Sequence, residues 1–339
     1  MLQVRIRKRL GNFQLDVEWE TEERLALLGA SGAGKSVTLQ CIAGIQTPDE
    51  GLICLNGRTL FDSRRRVDVP VCRRKVGFLF QNYALFPNMT VEGNVRSGLA
   101  GSRRDWRRAD VSALLRRFRL EGLERKYPTQ LSGGQQQRTA LARMLASQPE
   151  ALLLDEPFSA LDTGLRWELE QELRTHLADF PGPAVLVTHD REEAYRLCGE
   201  MAVMAGGEIQ VRGPRRQVLA QPGTRSAARL LGCENLSSLE RRSDGKVWAV
   251  QWGVPVAPPR PAEAVGLPAR ALRAAPGPGE GRLLCRVTSV VETPHQAIVL
   301  LEGQGGESLR WETGEPPAPG QQLWMELPAR ELLWLDRDA

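Results

Sequence analysis

Residues Gly29, Ala30, Ser31, Gly32, Ala33, Gly34, Lys35 and Ser36 fit the spacing G-x-x-x-x-G-K-[ST]. Glycines so placed let consecutive backbone N–H groups point into one concavity. A helix starting after the loop adds its positive end. Lys35 offers a charge for β- and γ-phosphates, Ser36 offers a hydroxyl for a divalent cation, and Val37 follows directly. Much later, ALLLDEP (151–157) is an apolar run ending in two carboxylates. Asp155 suits Mg²⁺, held directly or through water. Glu156 is the group to orient or deprotonate an attacking water. Gln81 follows VGFLF, where its amide could reach the metal or the water. His189, among just three histidines, follows AVLVT and could contact a γ-phosphate.

A second anion device stands at LSGGQQQR, Leu131–Arg138. Ser132, Gly133 and Gly134 lead into a helical pattern, so free N–H groups collect at a helix start. Ser132 would equally serve there as an ordinary helix cap.

These groups need strands that end together. LALLG (25–29), VGFLFQ (76–81), ALLLDEP and AVLVTHD (184–190) are short apolar runs with polar ends. That is the pattern of buried parallel strands, whose C-terminal ends carry ligands in open α/β sheets. Alternating segments near 2–9 and 12–19 predict an antiparallel edge. Residues 105–147 show helical patterns such as DVSALLRRFRL and QQQRTALARML and predict a helical insertion. After Gly232 the texture changes: the rest of the chain holds 12 of the 22 prolines and five of the eight tryptophans. VWAVQW, LLCRVTSVVE and AIVLLEG read there as strands between Pro/Gly turns. The expected division is an α/β domain over 1–232 and a small all-β domain over 233–339.

The chain carries a net charge of +4, with 42% hydrophobic and 25% charged residues, the composition of a globular protein. From Cys233 onward there are 11 basic and 14 acidic residues. That acidity argues against nucleic acid as a partner of the tail, even if its tryptophans were exposed. No apolar run is long enough to span a bilayer. None of the six cysteines makes a C-x-x-C pair, so free buried thiols are expected rather than zinc or disulfides.

Together, Gly29–Ser36, Gln81, Leu131–Arg138, Asp155–Glu156, SALD (159–162) and His189 resemble, in kind and order, the motifs of ATP-binding-cassette ATPases. The resemblance covers residues 1–232. It implies a P-loop NTPase fold with a helical subdomain near 89–148, and ATP with Mg²⁺ as ligands. The metal would lie on Ser36, Gln81 and Asp155, with Glu156 as base and His189 as switch. It also implies a homodimer in which Ser132, Gly133, Gly134 and Gln135 cap the ATP of the other copy, with Asp162 at the interface. Both anion devices would then grip one phosphate chain from two copies of the protein. Adenine would stack on an aromatic residue near the N-terminus, for which Phe13 is favoured over Leu10, although a core role for Phe13 fits as well.

The stretch NYALFPNMTVEGNV resembles the surface by which importer ATPases receive a helix of their membrane permease. That region is Gln81–Val95, with Tyr83, Leu85, Phe86 and Met89 as apolar contacts or as local core. The tail resembles the transport-associated, OB-like (TOBE/MOP) regulatory domain. Within the class, the compact N-terminus and VGFLFQNYALFP resemble molybdate-type importers; sulfate, iron, polyamine and sugar importers are the alternatives. The implied place is the cytoplasmic face of the inner membrane, as a peripheral subunit, with a solute-binding protein acting indirectly.

Overall fold

Continuous and alternating apolar runs sort into two kinds of sheet in the computed structural model, which describes residues 1–99, 111–159, 163–303, 306 and 308–337. The alternating segments form β1 (Leu2–Leu10) and β2 (Phe13–Thr21), paired antiparallel from Leu2↔Thr21 to Leu10↔Phe13. Their inward side chains are Leu2, Val4, Ile6, Leu15, Val17 and Trp19, all buried. β4 (Glu50–Leu55), β5 (Arg58–Asp62) and β6 (Val67–Asp68) extend this sheet in the order β2-β1-β4-β5-β6.

The continuous runs form β3 (Arg24–Gly29), β7 (Val76–Leu79), β8 (Ala151–Asp155) and β9 (Ala184–Thr188). β8 and β9 are buried at every position, which explains why they carry no alternation. With β10 (Glu200–Ala205) they lie parallel in the order β10-β3-β9-β8-β7. Strand β11 (Glu208–Pro214) stands beyond β10 at the edge.

Helix α1 (Lys35–Ala43) leaves the glycine-rich loop. Its Leu39, Cys41 and Ile42 share one buried cluster with residues of both sheets. Between β7 and β8 the described elements are helical: α2 (Val91–Ser97), α3 (Ser112–Arg117) and α4 (Gly133–Ala146), with a 3₁₀ turn at Pro128–Gln130. Residues 100–110 of the expected insertion lie outside the described residues. α5 (Thr163–Ala178) and α6 (Arg191–Leu197) follow β8 and β9.

The chain parts into two compact units, Met1–Ile209 and Gln210–Ala339. The change of composition lies later, after Gly232. The short helices α7 (Arg215–Ala220) and α8 (Arg225–Leu230) fall in the second unit because Ala228 of α8 is buried with Cys233, Ala264 and Leu335. That unit has two five-stranded sheets. One comprises β12 (Asn235–Arg241), β13 (Val247–Ala249), β14 (Val254–Val256), β15 (Ala264–Leu267) and the late strand β21 (Leu333–Leu335). The other comprises β16 (Arg273–Ala275), β17 (Arg282–Glu292), β18 (Ala297–Gly303), β19 (Ser308–Thr313) and β20 (Gln322–Glu326). They share a core that includes Val265, Leu283, Val299, Leu301 and Met325. Trp252 and Trp311 belong to that core, while Arg242 covers the ring of Trp248 at 4.1 Å. All six cysteines are free.

One buried cation fixes the helix behind the loop. Arg74 is 0% exposed. Its guanidinium donates to Cys41 O and Ile42 O at 2.9 and 2.8 Å, to Val69 O at 2.7 Å and to Asp68 at 2.7 Å. It thereby covers terminal carbonyls of α1, where positive charge is favoured. The chain turns away at Gly44, whose φ is +80° and where a Cβ would lie 2.5 Å from Arg74 Nε. Arg74→Leu removes the side-chain donor from Ile42 O and Val69 O, while Cys41 O keeps Gly44 N and Asp68 keeps Thr47 Oγ. The expected loss is about 1–3 kcal/mol for the first unit, read as a drop in its thermal unfolding midpoint by circular dichroism.

Candidate nucleotide site

The parallel register brings the polar strand ends to one edge. Leu28 of β3 pairs with Thr188 of β9, Asp155 of β8 with Val187 of β9, and Leu79 of β7 with Leu154 of β8. Gly29, His189, Asp155 and Gln81 therefore follow one another along the C-terminal edge.

The glycine-rich loop bends as its glycines permit. Gly32 and Gly34 have φ of +81° and +98°. A Cβ on Gly34 would meet Leu15 Cδ1 at 2.7 Å and Phe13 Cζ at 3.0 Å, and one on Gly29 would meet Met204 O at 2.6 Å. Around Gly32 there is open space. Ala30, Ser31 and Gly32 are exposed, whereas Ala33, Gly34 and Lys35 are buried. Lys35 Nζ donates to Gly29 O at 2.7 Å and Ala30 O at 2.9 Å. An ammonium has three N–H donors, so one remains for an anion. Burial lowers the Lys35 pKa, opposed by Glu156 and Asp155. Thr38, fully buried, donates to Gly34 O at 2.9 Å and locks the start of α1. Sequence reading passed over Thr38 because a threonine inside a helix carries no signal of its own.

Ser36 Oγ donates to Asp155 Oδ1 at 2.9 Å. Burial raises the Asp155 pKa, and the bond from Ser36 opposes the rise. Glu156 turns away with φ +44°, a left-handed conformation costing a non-glycine residue about 1 kcal/mol or more. The turn is held by Glu156 N on Val187 O at 2.9 Å and by Ser159 Oγ on Glu156 O at 3.0 Å. His189 Nδ1 lies 3.4 Å from Glu156 Oε2, with the imidazole 61% exposed. Gln81 is exposed beyond the end of β7.

Ser132 is the N-cap of α4. Its Oγ accepts from Gln135 N at 3.4 Å, and Gln135 Oε1 accepts from Ser132 N at 3.0 Å. Ser132 and Gly133 are exposed, and the N–H groups of Gly133 and Gly134 lie in the first turn of the helix. Gln137, fully buried, donates to Pro157 O at 3.1 Å, directly behind Glu156. Tyr83 Oη donates to the same carbonyl at 3.4 Å. Tyr83 is therefore core and not part of an exposed apolar patch; its phenol needs a buried acceptor. Phe86 and Met89 remain 46% and 40% exposed, and Leu85 is half-buried. Phe13 is half-buried against the main core, with its ring edge at Gly34, while Leu10 is 38% exposed. Val37 packs on the same core. Asp162 lies outside the described residues.

The sequence profile described as "ABC transporter" matches residues 12–159. The "Sulfate/thiosulfate import ATP-binding protein CysA 2" of Chromobacterium violaceum is 37% identical over 349 aligned positions, covering 96% of this chain and 92% of its own. The "Fe(3+) ions import ATP-binding protein FbpC" of Yersinia pestis bv. Antiqua is 42% identical over 224 positions, 65% of this chain and 62% of its own. A solved ATP-binding cassette, a dimer in a post-hydrolysis state bound to ADP and Pi, superposes with a TM-score of 0.53 at 29% identity, covering 64% of this chain and 99% of its own.

The chain belongs to the ABC transporter family of ATP-binding subunits. It is an ATPase of that family, and the matched profile lies within its first unit. The site fits the ligands this entails. Open space at Gly32 and a spare Lys35 donor suit a phosphate chain, and the adjoining Ser36 hydroxyl and Asp155 carboxylate are hard oxygen donors suited to Mg²⁺. Among the described residues of this ABC ATPase, no helix is long and apolar enough to cross a membrane.

Lys35→Ala removes a charge-assisted donor worth about 1.5–3 kcal/mol. ATP affinity should fall roughly tenfold to a hundredfold, measured by equilibrium titration with a fluorescent ATP analogue.

Proposed function

We propose that this ABC ATPase energises import of a tetrahedral oxyanion of the sulfate/thiosulfate class. The observation that carries the reading is the likeness to a sulfate/thiosulfate import protein through 96% of the chain, the second unit included. The iron-import relative matches 65% of the chain. A molybdate solute, suggested by the 76–87 stretch, finds no comparable support. Residues 233–339 serve in this reading as a TOBE-like regulatory domain, in keeping with their two sheets around one core.

The geometry supports the following chemistry. Lys35 and the loop N–H groups hold the phosphates, with Mg²⁺ on Ser36 and Asp155 and Gln81 beside them. Mg²⁺, when bound, neutralises charge on the β- and γ-phosphate oxygens. Glu156, turned away from Asp155, accepts the proton of the attacking water. His189, 3.4 Å from Glu156, contacts the γ-phosphate. Phe13 supports the adenine end. Ser132, Gly133, Gly134 and Gln135 cap ATP bound to a second copy, and the dimeric relative with ADP and Pi supports that arrangement. The Gln81–Val95 region, with Phe86 and Met89 outward, receives the permease at the cytoplasmic face of the inner membrane. The solute-binding protein acts through that permease.

Glu156→Gln preserves shape but is a far poorer base. Steady-state hydrolysis should fall about 10²–10⁴-fold with ATP binding intact, measured by phosphate release beside nucleotide binding. The solute assignment predicts that cells lacking this chain lose uptake of radiolabelled sulfate and regain it on complementation. Unchanged sulfate uptake together with lost molybdate or iron uptake would replace the assignment.

A further inference from the structure

Behind His189 sits a buried carboxylate with no place in the chemistry assigned above. Glu193, in the first turn of α6, is 2% exposed. Its Oε2 accepts from Thr188 Oγ at 2.9 Å and from Arg166 Nη2 at 3.2 Å. Thr188 Oγ in turn accepts from Asp190 N at 3.0 Å. Arg166 Nη2 also reaches Asp190 Oδ2 at 3.1 Å, and Asp190 Oδ1 caps the N–H groups of Glu192 and Glu193. His189 is thus bracketed by two residues tied to Glu193, while its own ring is mostly exposed. The other carboxylate oxygen, Glu193 Oε1, is buried without a hydrogen-bond partner among the described residues. Such an atom is costly as part of an anion.

We propose that Glu193 is a positioning residue of the His189 segment, and that a proton on Glu193 loosens the segment and slows hydrolysis. The proposal rests on the reading of His189 as a γ-phosphate contact. The carboxylate holds Thr188 and Arg166 together through one oxygen. Protonation removes its charge, weakens both bonds and leaves Arg166 to Asp190 alone. The surroundings make the proton available near neutrality. Burial pushes Glu193 up to about 7, opposed by Thr188 and Arg166 and assisted by Asp190. On α5, the next charged neighbour, Glu170, is engaged by Arg196 of α6. Glu192 is likewise on Arg196. β3, packed on the same helix, is apolar from Leu25 to Leu28, with Arg24 its one charged residue.

The stability sign runs opposite to the activity sign. Glu193 is raised above its ordinary 4.5, so the fold binds this proton more tightly than the unfolded chain does. Its ionisation removes stability as pH rises from about 4.5 to about 7. Glu193→Gln therefore keeps the fold at high pH while mimicking the protonated side chain. The test compares kcat and KM of wild type and Glu193→Gln from about pH 6 to about pH 8.5. The wild-type/variant kcat ratio should rise from near one to about fivefold or more, with KM for ATP unchanged and the variant at least as thermally stable as wild type at high pH. A ratio flat with pH, or activity lost in step with stability, overturns the proposal. The His189 reading is tested apart. Near-normal turnover in His189→Ala removes that reading, whereas NMR titration of the Asp190 backbone N–H, which donates to Thr188 Oγ, still reads the Glu193 link in that same His189→Ala background, with and without Glu193→Gln. An inflection near pH 7 that is lost in Glu193→Gln sustains the link, and identical titrations in the two proteins sink it.

Discussion

The hydrogen bond from Ser36 to Asp155 joins residues 119 positions apart and is the contact around which the site closes. It can form because β9 lies between β3 and β8, with all three strands parallel and ending at one level. Had β8 slipped by one residue, Asp155 and Glu156 would exchange faces, because successive side chains of a strand point opposite ways. The burial of β8 and β9 on both faces makes such a slip costly, so a dry sheet interior sets the geometry of a polar edge.

That edge carries an electrostatic tension. Burial lowers Lys35 and raises Asp155, so each group is held against its preference for water. Each relieves the other through its charge, and the loop carbonyls occupy two of the ammonium donors. A preorganised site of this kind acts on phosphate charge more strongly than solvated groups would, because little reorganisation remains to be done. Glu156 contributes in another way: its backbone is left-handed directly after β8, and its carboxylate lies 3.4 Å from His189 Nδ1.

The carbonyl of Pro157 ties the loop after Gln81 to the start of α4. Gln137 reaches it from α4 and Tyr83 from the stretch after Gln81. Arg143 of α4 then donates to Tyr83 O and Ala84 O, and its guanidinium lies 5.2 Å from the centre of the Phe86 ring. Asn94, fully buried, holds the same loop through Phe86, Met89 and Thr90. A displacement at Phe86 is thus linked by direct bonds to the residue following Glu156.

The sequence by itself determined the pieces that are local. The loop Gly29–Ser36, the capped start of α4 at Ser132 and the polar ends of β7, β8 and β9 each depend on a few consecutive residues and their backbone preferences. The two early strands were legible because one face is wet and the other dry. Tertiary structure alone decided what those pieces touch. Tyr83 reads along the chain either as a surface contact or as local core, and packing decides for core, because its partner, Pro157 O, lies 74 residues away. Arg74 sits in a run of basic residues and becomes the cap of α1, since the carbonyls it meets are brought there by packing. The helices α7 and α8 carry no compositional mark of the second unit, yet Ala228 is buried with Leu335. Glu193 reads as one acid among several in a helical turn. Its buried, half-partnered state arises when β9 and α5 close over it, and a linear chain holds no record of which carboxylate will lose its water.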